Sequence, residues 1–469
     1  MSSPSSTTIW EIIRFATLVR LVVLGILVVA CQLGQDYDTS SSSLLLSSSE
    51  SPNKGALDWV IKPLVEPLLR WDAVYFVHIA QEGYVYEQEH AFFPGLPLAM
   101  RFVAFTLLAP LQGLVSPTLL LLLAGACIAN ASAILASAVF YLLGRQLTRS
   151  DQLARTAALL FTLTPSAAFM SAPYTESPFA LLTFSGMLAY SKGHGTIAAL
   201  LWSLTTTLRS NGILHAGFFM HDLLREWIRH LLPPRAYHPS LPRSSPSLEG
   251  WIRLASVTLL TLLRSALILI PFIIIQFYGY LQYCSSEAPD ALRPWCTTST
   301  LPIIYAFVQD HYWNCGPFRY YTLKQLPNFL LASPFLLLTG AGVWVYLRAQ
   351  TKGTLTLGAL SNPGNRSGKG PRGASESNNA HAIYTSSTSL YPYVILWAAQ
   401  TIYALITMHI QVILRFLTSQ PALYLFASSC VLRHLQGPHR HLGGWAILHY
   451  FPLYNVVGIV LFANFLPPA

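Results

Sequence analysis

Residues 116–143 read SPTLLLLLAGACIANASAILASAVFYLL, a run of 28 positions without one charged side chain. An α-helix rises about 1.5 Å per residue, so about 20 such residues cross a hydrocarbon core roughly 30 Å thick. Comparable runs, with a few polar interruptions, lie at Leu18–Leu33, Leu254–Phe277, Phe329–Leu347 and Trp445–Leu466. They lack the residue-by-residue alternation of a membrane barrel, so helices are the expected spanning element. Of all residues 53% are apolar and only 10% are charged. A water-soluble domain usually carries about 25% charged residues, so this chain is too poor in polar surface for a soluble fold. The fold class is an all-α polytopic membrane protein, a single membrane-embedded domain over 1–469.

The net charge of +9 does not mark a nucleic-acid partner, because of where the basic residues stand. Arg225, Arg229, Arg235, Arg243 and Arg253 cluster in or beside one inter-helix segment, 221–252; Arg348, Lys352, Arg366, Lys369 and Arg372 cluster around another, 351–385. Such clusters mark cytosolic loops under the positive-inside rule. Arg14 and Arg20 precede the first apolar run, which has no small-residue cleavage site and reads as a retained first span with a cytosolic N-terminus. The segment 35–91 has the opposite character. It holds nine of the chain's nineteen carboxylates against Lys54, Lys62 and Arg70, a net of −6. It is expected to be the first luminal loop, beginning with a flexible Ser-rich insert at Thr39–Ser51.

Parity extends the topology. Arg145, Arg149 and Arg155 mark a cytosolic turn, and spans at 156–173 and 176–191 would meet at a luminal Pro173-Tyr174-Thr175-Glu176-Ser177-Pro178. The run 196–209 is short and ends at Arg209-Ser210-Asn211-Gly212, which predicts a helix broken at membrane depth, with 212–229 returning to the cytosol. Irregular backbone is tolerated there only where it lines a cavity, so the break predicts an active-site wall. Spans at 253–281, 327–347, 390–409, 413–432 and 445–466 follow, with a second luminal loop at 283–325 and a Gly/Ser/Asn-rich linker at 351–385. The stretch 92–143 reads as one span at 117–143 after a luminal or re-entrant helix at 93–113. This makes about eleven crossings. Cys31, Cys127 and Cys430 lie in apolar runs as packing residues, while Cys284 and Cys296 share the second luminal loop, where a bridge between them would leave Cys315 free.

The densest chemistry is Arg70-Trp71-Asp72-Ala73-Val74-Tyr75-Phe76, followed by Gly83-Tyr84 and Glu87-Gln88-Glu89-His90. Asp72 is the carboxylate most tightly framed by apolar neighbours; partial burial would raise its pKa and suit it to accept a proton from a hydroxyl. The plainer reading is an interfacial loop with solvated acids. Gln309-Asp310-His311-Tyr312-Trp313-Asn314 and Lys324-Gln325 form a second cluster, either sugar- and phosphate-binding or anchoring its own loop. Arg209 and Arg415 sit within or beside apolar runs, where a guanidinium either grips a lipid phosphate or snorkels or pairs with a glutamate. Glu176 and His409 are weaker instances of the same kind. The sequons at Asn130 and Asn365 fall in a span and a cytosolic linker and should stay unmodified. No P-loop and no metal cage are legible.

These strings resemble one family. Arg70-Trp71-Asp72, Gly83-Tyr84 with Glu87 and Glu89, Ala91-Phe92-Phe93-Pro94, Leu208-Arg209-Ser210-Asn211-Gly212 and Gln309-Asp310 with Tyr312-Trp313-Asn314 are similar to GPI mannosyltransferase II. So are Lys324-Gln325 with Pro327-Asn328-Phe329, Tyr391-Pro392-Tyr393, Met408-His409-Ile410-Gln411-Val412 with Arg415-Phe416, and Asn464-Phe465-Leu466-Pro467. The likeness runs in order from about residue 65 to the C-terminus. His90 departs from it, standing where an aromatic or small residue is expected. The resemblance implies a GT-C type glycosyltransferase bundle with its active site in the first luminal loop. It implies a multi-pass protein of the endoplasmic reticulum membrane that takes dolichyl-phosphate mannose as donor, with no cofactor and no metal. The second mannose would pass in α-1,6 linkage to a GPI precursor, and the fungal members imply a small membrane accessory subunit. Carried onto this chain, Asp72 is the catalytic base, and Arg70, Trp71, Glu87, Glu89, Arg209, Asn211, Gln309, Asp310, Trp313, Lys324, His409 and Arg415 are the substrate-binding set. A sibling transferase with another GPI, N-glycan or protein acceptor would lack the Gln309–Asn314 and Met408–Phe416 strings. A lipid transporter or flippase would need internal repeats, which the sequence does not show.

Overall fold

The computed structural model describes residues 6–34, 55–231, 248–285, 293–298, 302–350, 380–437 and 441–466. The Ser-rich insert, the basic positions Arg235 and Arg243, the linker 351–379 with its Asn365 sequon and the terminal Pro467-Pro468-Ala469 lie outside them. All regular elements among the described residues are helices, as an apolar surround demands of a backbone that must satisfy its own hydrogen bonds.

Among the described residues six helices are long and apolar enough to cross a membrane: Thr7–Leu33, Pro117–Thr148, Leu248–Cys284, Leu323–Ala349, Thr388–Thr407 and Leu442–Ala463. Among the same residues the pair Ile410–Phe416 and Pro421–Gln436, bent by 85°, makes a seventh if it is counted as one span. The expected count of about eleven counted shorter pieces as full crossings. Asp151–Thr162, Gly195–Leu208 and Glu176–Ser191 have 12, 14 and 16 residues. At about 1.5 Å per residue even 16 residues reach only about 24 Å. The stretch 92–143 resolves as the short Gly95–Phe105 helix packed on the single long Pro117–Thr148 helix.

The predicted span 156–173 stops at Thr162. Pro165 follows, lacking an N–H and clashing with a continuing helix, and the chain turns irregularly to Thr175. The carbonyls freed by this break are answered by side chains from distant helices. Arg20 donates to Thr162 O at 2.9 Å and Ala167 O at 3.2 Å, Asn130 to Ser171 O at 3.0 Å, and Asn455 to Thr164 O at 3.2 Å. Arg20 is therefore no flanking cytosolic charge; it lies inside the Ser6–Leu33 helix, 3% exposed, where an open backbone gives its guanidinium partners.

The break predicted after residue 208 is present. Gly195–Leu208 ends where Arg209 turns extended (φ −150°, ψ 143°), a 3₁₀ turn covers Ser210–His215, and Ala216–Leu231 resumes. Gly212 is required there: a Cβ would stand 2.6 Å from the Thr206 backbone nitrogen. Two apolar clusters hold the bundle. One centres on Phe140, Phe161, Phe184 and Tyr424; the other packs Phe76, Leu96, Met100, Leu122, Tyr174 and Phe462 beneath the first loop. That loop is folded into helices Asp58–Val65 and Asp72–Glu82 and a 3₁₀ turn Glu87–Ala91. In the second loop Cys284 and Cys296 are joined as a disulfide, and Cys315 is a free thiol.

Candidate functional site

Trp71 adopts φ 53° and ψ −122°, a conformation costly for any residue with a Cβ, immediately before the Asp72–Glu82 helix. Its neighbours hold it there. Arg70 is fully enclosed and donates to Ala463 O (2.9 Å), Glu66 O (3.1 Å) and Cys31 Sγ (3.1 Å), with its guanidinium 4.5 Å over the Phe465 ring. The Tyr174 hydroxyl donates to Arg70 O at 2.7 Å and accepts from the Asp72 backbone N–H at 3.1 Å. Burial first, then the charge of Asp72, pushes the Tyr174 phenol well above its usual pKa, so it remains a donor. Trp71 itself stays 40% exposed beside Phe465. Tyr174→Phe removes both hydroxyl contacts and is expected to cost about 1–2 kcal/mol, read as a lower thermal midpoint. An unchanged midpoint would show that the Trp71 turn is held without this clamp.

The strained turn sets Asp72 on the first residue of its helix, where the helix dipole favours a carboxylate. Glu176 begins the Glu176–Ser191 helix in the same way. Arg415 joins them: Nη2 donates to Asp72 Oδ2 at 2.6 Å and Nε to Glu176 Oε1 at 2.7 Å. Arg209 Nη1 reaches the same Glu176 oxygen at 2.9 Å. The Arg415 guanidinium lies over the rings of Phe169 (4.5 Å) and Tyr174 (4.8 Å), an orientation cation–π attraction favours. Two cations and two anions thus form one neutral cluster. Glu176 is wholly enclosed, whereas the Asp72 side chain is 27% exposed. Among the described residues Asp72 Oδ1 makes no hydrogen bond, which leaves it as an open acceptor on a partly exposed side chain.

A cavity of about 670 Å³ opens beside the segments that carry Arg209 and Arg415, walled by Ile213, Phe218, Phe272, Leu396, Met408 and Phe416, with Asn211 and Gln309 among its polar lining residues. Asn211 is 7% exposed and neither atom of its amide finds a partner among the described residues. Its walls suit a hydrocarbon chain, and its free amide suits a polar group carried on one.

Of the residues singled out from the sequence, Asp72, Arg209 and Arg415 meet, with Trp71 beside them and Asn211 and Gln309 in the adjoining cavity. Arg209 and Arg415 prove to be glutamate-paired. Asp72 is not framed by apolar neighbours alone, because Arg415 lies against it. The others lie outside the cluster. Arg70 serves the turn. Glu87 accepts from Trp295 Nε1 at 2.7 Å and the Tyr312 hydroxyl at 2.9 Å, and Trp313 packs edge-on to Tyr75 and Phe92, so these residues fasten the second loop to the first. Glu89 accepts from the backbone N–H groups of Val85 and Tyr86 and pairs with His78. Asp310 pairs with Arg319 at the surface, Lys324 is exposed, and His409 stacks on Tyr320 at 4.6 Å. His90 behaves as an aromatic: it is packed among Tyr84, Tyr278 and Tyr283, and burial lowers its pKa to about 4, keeping the imidazole neutral. Glu176 and Tyr174 complete the cluster; their signal in the sequence is a carboxylate between two prolines ahead of an apolar run.

Residues 9–469 match the family described as Mannosyltransferase (PIG-V). The chain is 30% identical over 518 residues to the GPI alpha-1,6-mannosyltransferase 2 of Rattus norvegicus, covering 97% of this chain and 98% of that one. It is 33% identical over 509 residues to the GPI mannosyltransferase 2 of Chaetomium globosum, covering 99% and 95%. Among solved structures it is similar to the apo oligosaccharyltransferase of Archaeoglobus fulgidus, with a TM-score of 0.44 at 13% identity. That likeness covers 95% of this chain, which spans only 56% of the archaeal one. With the strained Trp71-Asp72 turn paired to Arg415, and with relatives matched over nearly their whole length, the chain belongs to the PIG-V mannosyltransferase family.

Proposed function

We propose that this protein transfers mannose from dolichyl-phosphate mannose to a GPI precursor, adding the second mannose in α-1,6 linkage at the endoplasmic reticulum membrane. The observation that carries the reading is the Asp72–Arg415–Glu176–Arg209 cluster beside an apolar cavity. A lipid-borne sugar phosphate needs this combination: a wall for hydrocarbon, a cation for phosphate and a carboxylate for a hydroxyl proton. The relatives' names supply the sugar and the acceptor class.

The reaction is a single inverting displacement. The acceptor 6-hydroxyl attacks the anomeric carbon while Asp72 Oδ1 takes its proton, and the bond to the phosphate oxygen breaks. Dolichyl phosphate leaves with that electron pair, and Arg415 faces the charge it gains. The dolichol chain lies along the cavity beside Asn211. In this reading the first loop faces the lumen, the N-terminus the cytosol, and a small accessory subunit joins the complex in the membrane.

The test is transfer by the purified full-length protein, given radiolabelled dolichyl-phosphate mannose and a panel of lipid acceptors. A labelled two-mannose GPI product is expected. Labelling of an N-glycan lipid or a protein acceptor in its place, or no transfer, would overturn the reading.

A further inference from the structure

Glu176 neither takes a proton nor meets the phosphate in the reaction above, yet it is the most enclosed charge of the cluster. It serves two guanidinium groups through one oxygen: Oε1 accepts from Arg415 Nε and from Arg209 Nη1, while the buried Oε2 has no partner among the described residues. Leaving a buried carboxylate oxygen unpaired is unfavourable, and arginine ordinarily binds a carboxylate through two parallel N–H groups. The arrangement therefore sacrifices pairing to hold the Arg415 guanidinium by its Nε edge.

Holding that edge decides what the other nitrogens can do. Nη2 meets only Asp72 Oδ2, and Nη1 makes no hydrogen bond among the described residues. Freed from Glu176, Arg415 could close on Asp72 as a two-pronged pair, engaging the oxygen that the acceptor proton needs. We propose that Glu176 is a positioning residue for the transfer: its grip on Arg415 Nε keeps Asp72 Oδ1 open for the acceptor hydroxyl and Arg415 Nη1 open for the departing phosphate. Arg209, bound to the same oxygen, braces Glu176 as well. This inference rests on the transfer reaction proposed above.

The experiment compares wild type, Glu176→Gln and Glu176→Asp as full-length purified proteins, with dolichyl-phosphate mannose and a one-mannose GPI acceptor. Glu176→Gln replaces the charged oxygen that Arg415 and Arg209 share with a neutral, weaker acceptor, so the grip on Arg415 loosens. The variant's kcat is expected to fall about 10²-fold, the scale of a small misplacement of reacting groups, with KM for the acceptor unchanged. Its acidic limb in the pH–rate profile is expected at lower pH, because Arg415 closes on Asp72 and weakens it as a base. Glu176→Asp keeps the charge and with it the fold, but withdraws the oxygen by one carbon–carbon bond. Its thermal midpoint is expected near wild type and its kcat low. Wild-type kcat in Glu176→Asp, or an unmoved acidic limb in Glu176→Gln, would overturn the positioning role. Should Glu176→Gln fail to fold, the kcat of Glu176→Asp decides alone. A wild-type protein that transfers no mannose removes the function and this inference together; an active wild type with unimpaired variants removes only the inference.

Discussion

Asp72→Asn is expected to lower mannose transfer by about 10²–10⁴-fold, the range a positioned general base contributes. Asparagine retains an oxygen that can accept from Arg415, so the strained Trp71 turn and its Tyr174 clamp should persist. What is lost is the capacity to take a proton. In cells lacking the enzyme, the one-mannose GPI intermediate should accumulate when only this variant is supplied, resolved by mass. Full recovery of the two-mannose species would remove Asp72 from the base role. The thermal midpoint serves as the control, since a large fall there would give a structural reason for lost transfer.

Arg415→Lys is expected to lower kcat by about 10²–10³-fold, comparable to removing one preorganised donor from a developing anion. Lysine keeps the charge but offers a single ammonium, which cannot reach both Asp72 Oδ2 and Glu176 Oε1 while lying over Phe169 and Tyr174. Arg415→Met is expected to be harsher in another way. It leaves the enclosed Glu176 with Arg209 alone, and breaking a buried pair typically costs about 3–5 kcal/mol. Thermal unfolding should therefore separate the two variants: near wild type for lysine, clearly lowered for methionine. Equal loss of stability in both would make Arg415 a structural residue first.

Much of the fold and part of the site are legible without coordinates. Hydropathy sums over a local window, so the runs within 117–148, 248–284 and 442–463 declare themselves as helices whatever surrounds them. The break at Arg209–Gly212 is also local, because short polar residues and a glycine interrupt an apolar run there. Trp71-Asp72 could be singled out because carboxylates concentrate in one loop of a chain that is otherwise basic.

Ion pairing follows no such local rule. Arg415 lies 343 positions from Asp72 and 239 from Glu176, so no window contains the cluster. Nor does spacing reveal that Glu87 and Glu89 accept hydrogen bonds from the loops around them, or that Arg20 and Arg70 donate to open backbone carbonyls. By itself the sequence determined that this is a helical membrane protein with its chemistry gathered near Asp72, since apolar content and charge distribution are sums over the chain. Tertiary structure alone decided which charges are partners and which helices stop short of a full crossing. A buried charge is stable only beside its counterpart, and packing chooses the counterpart.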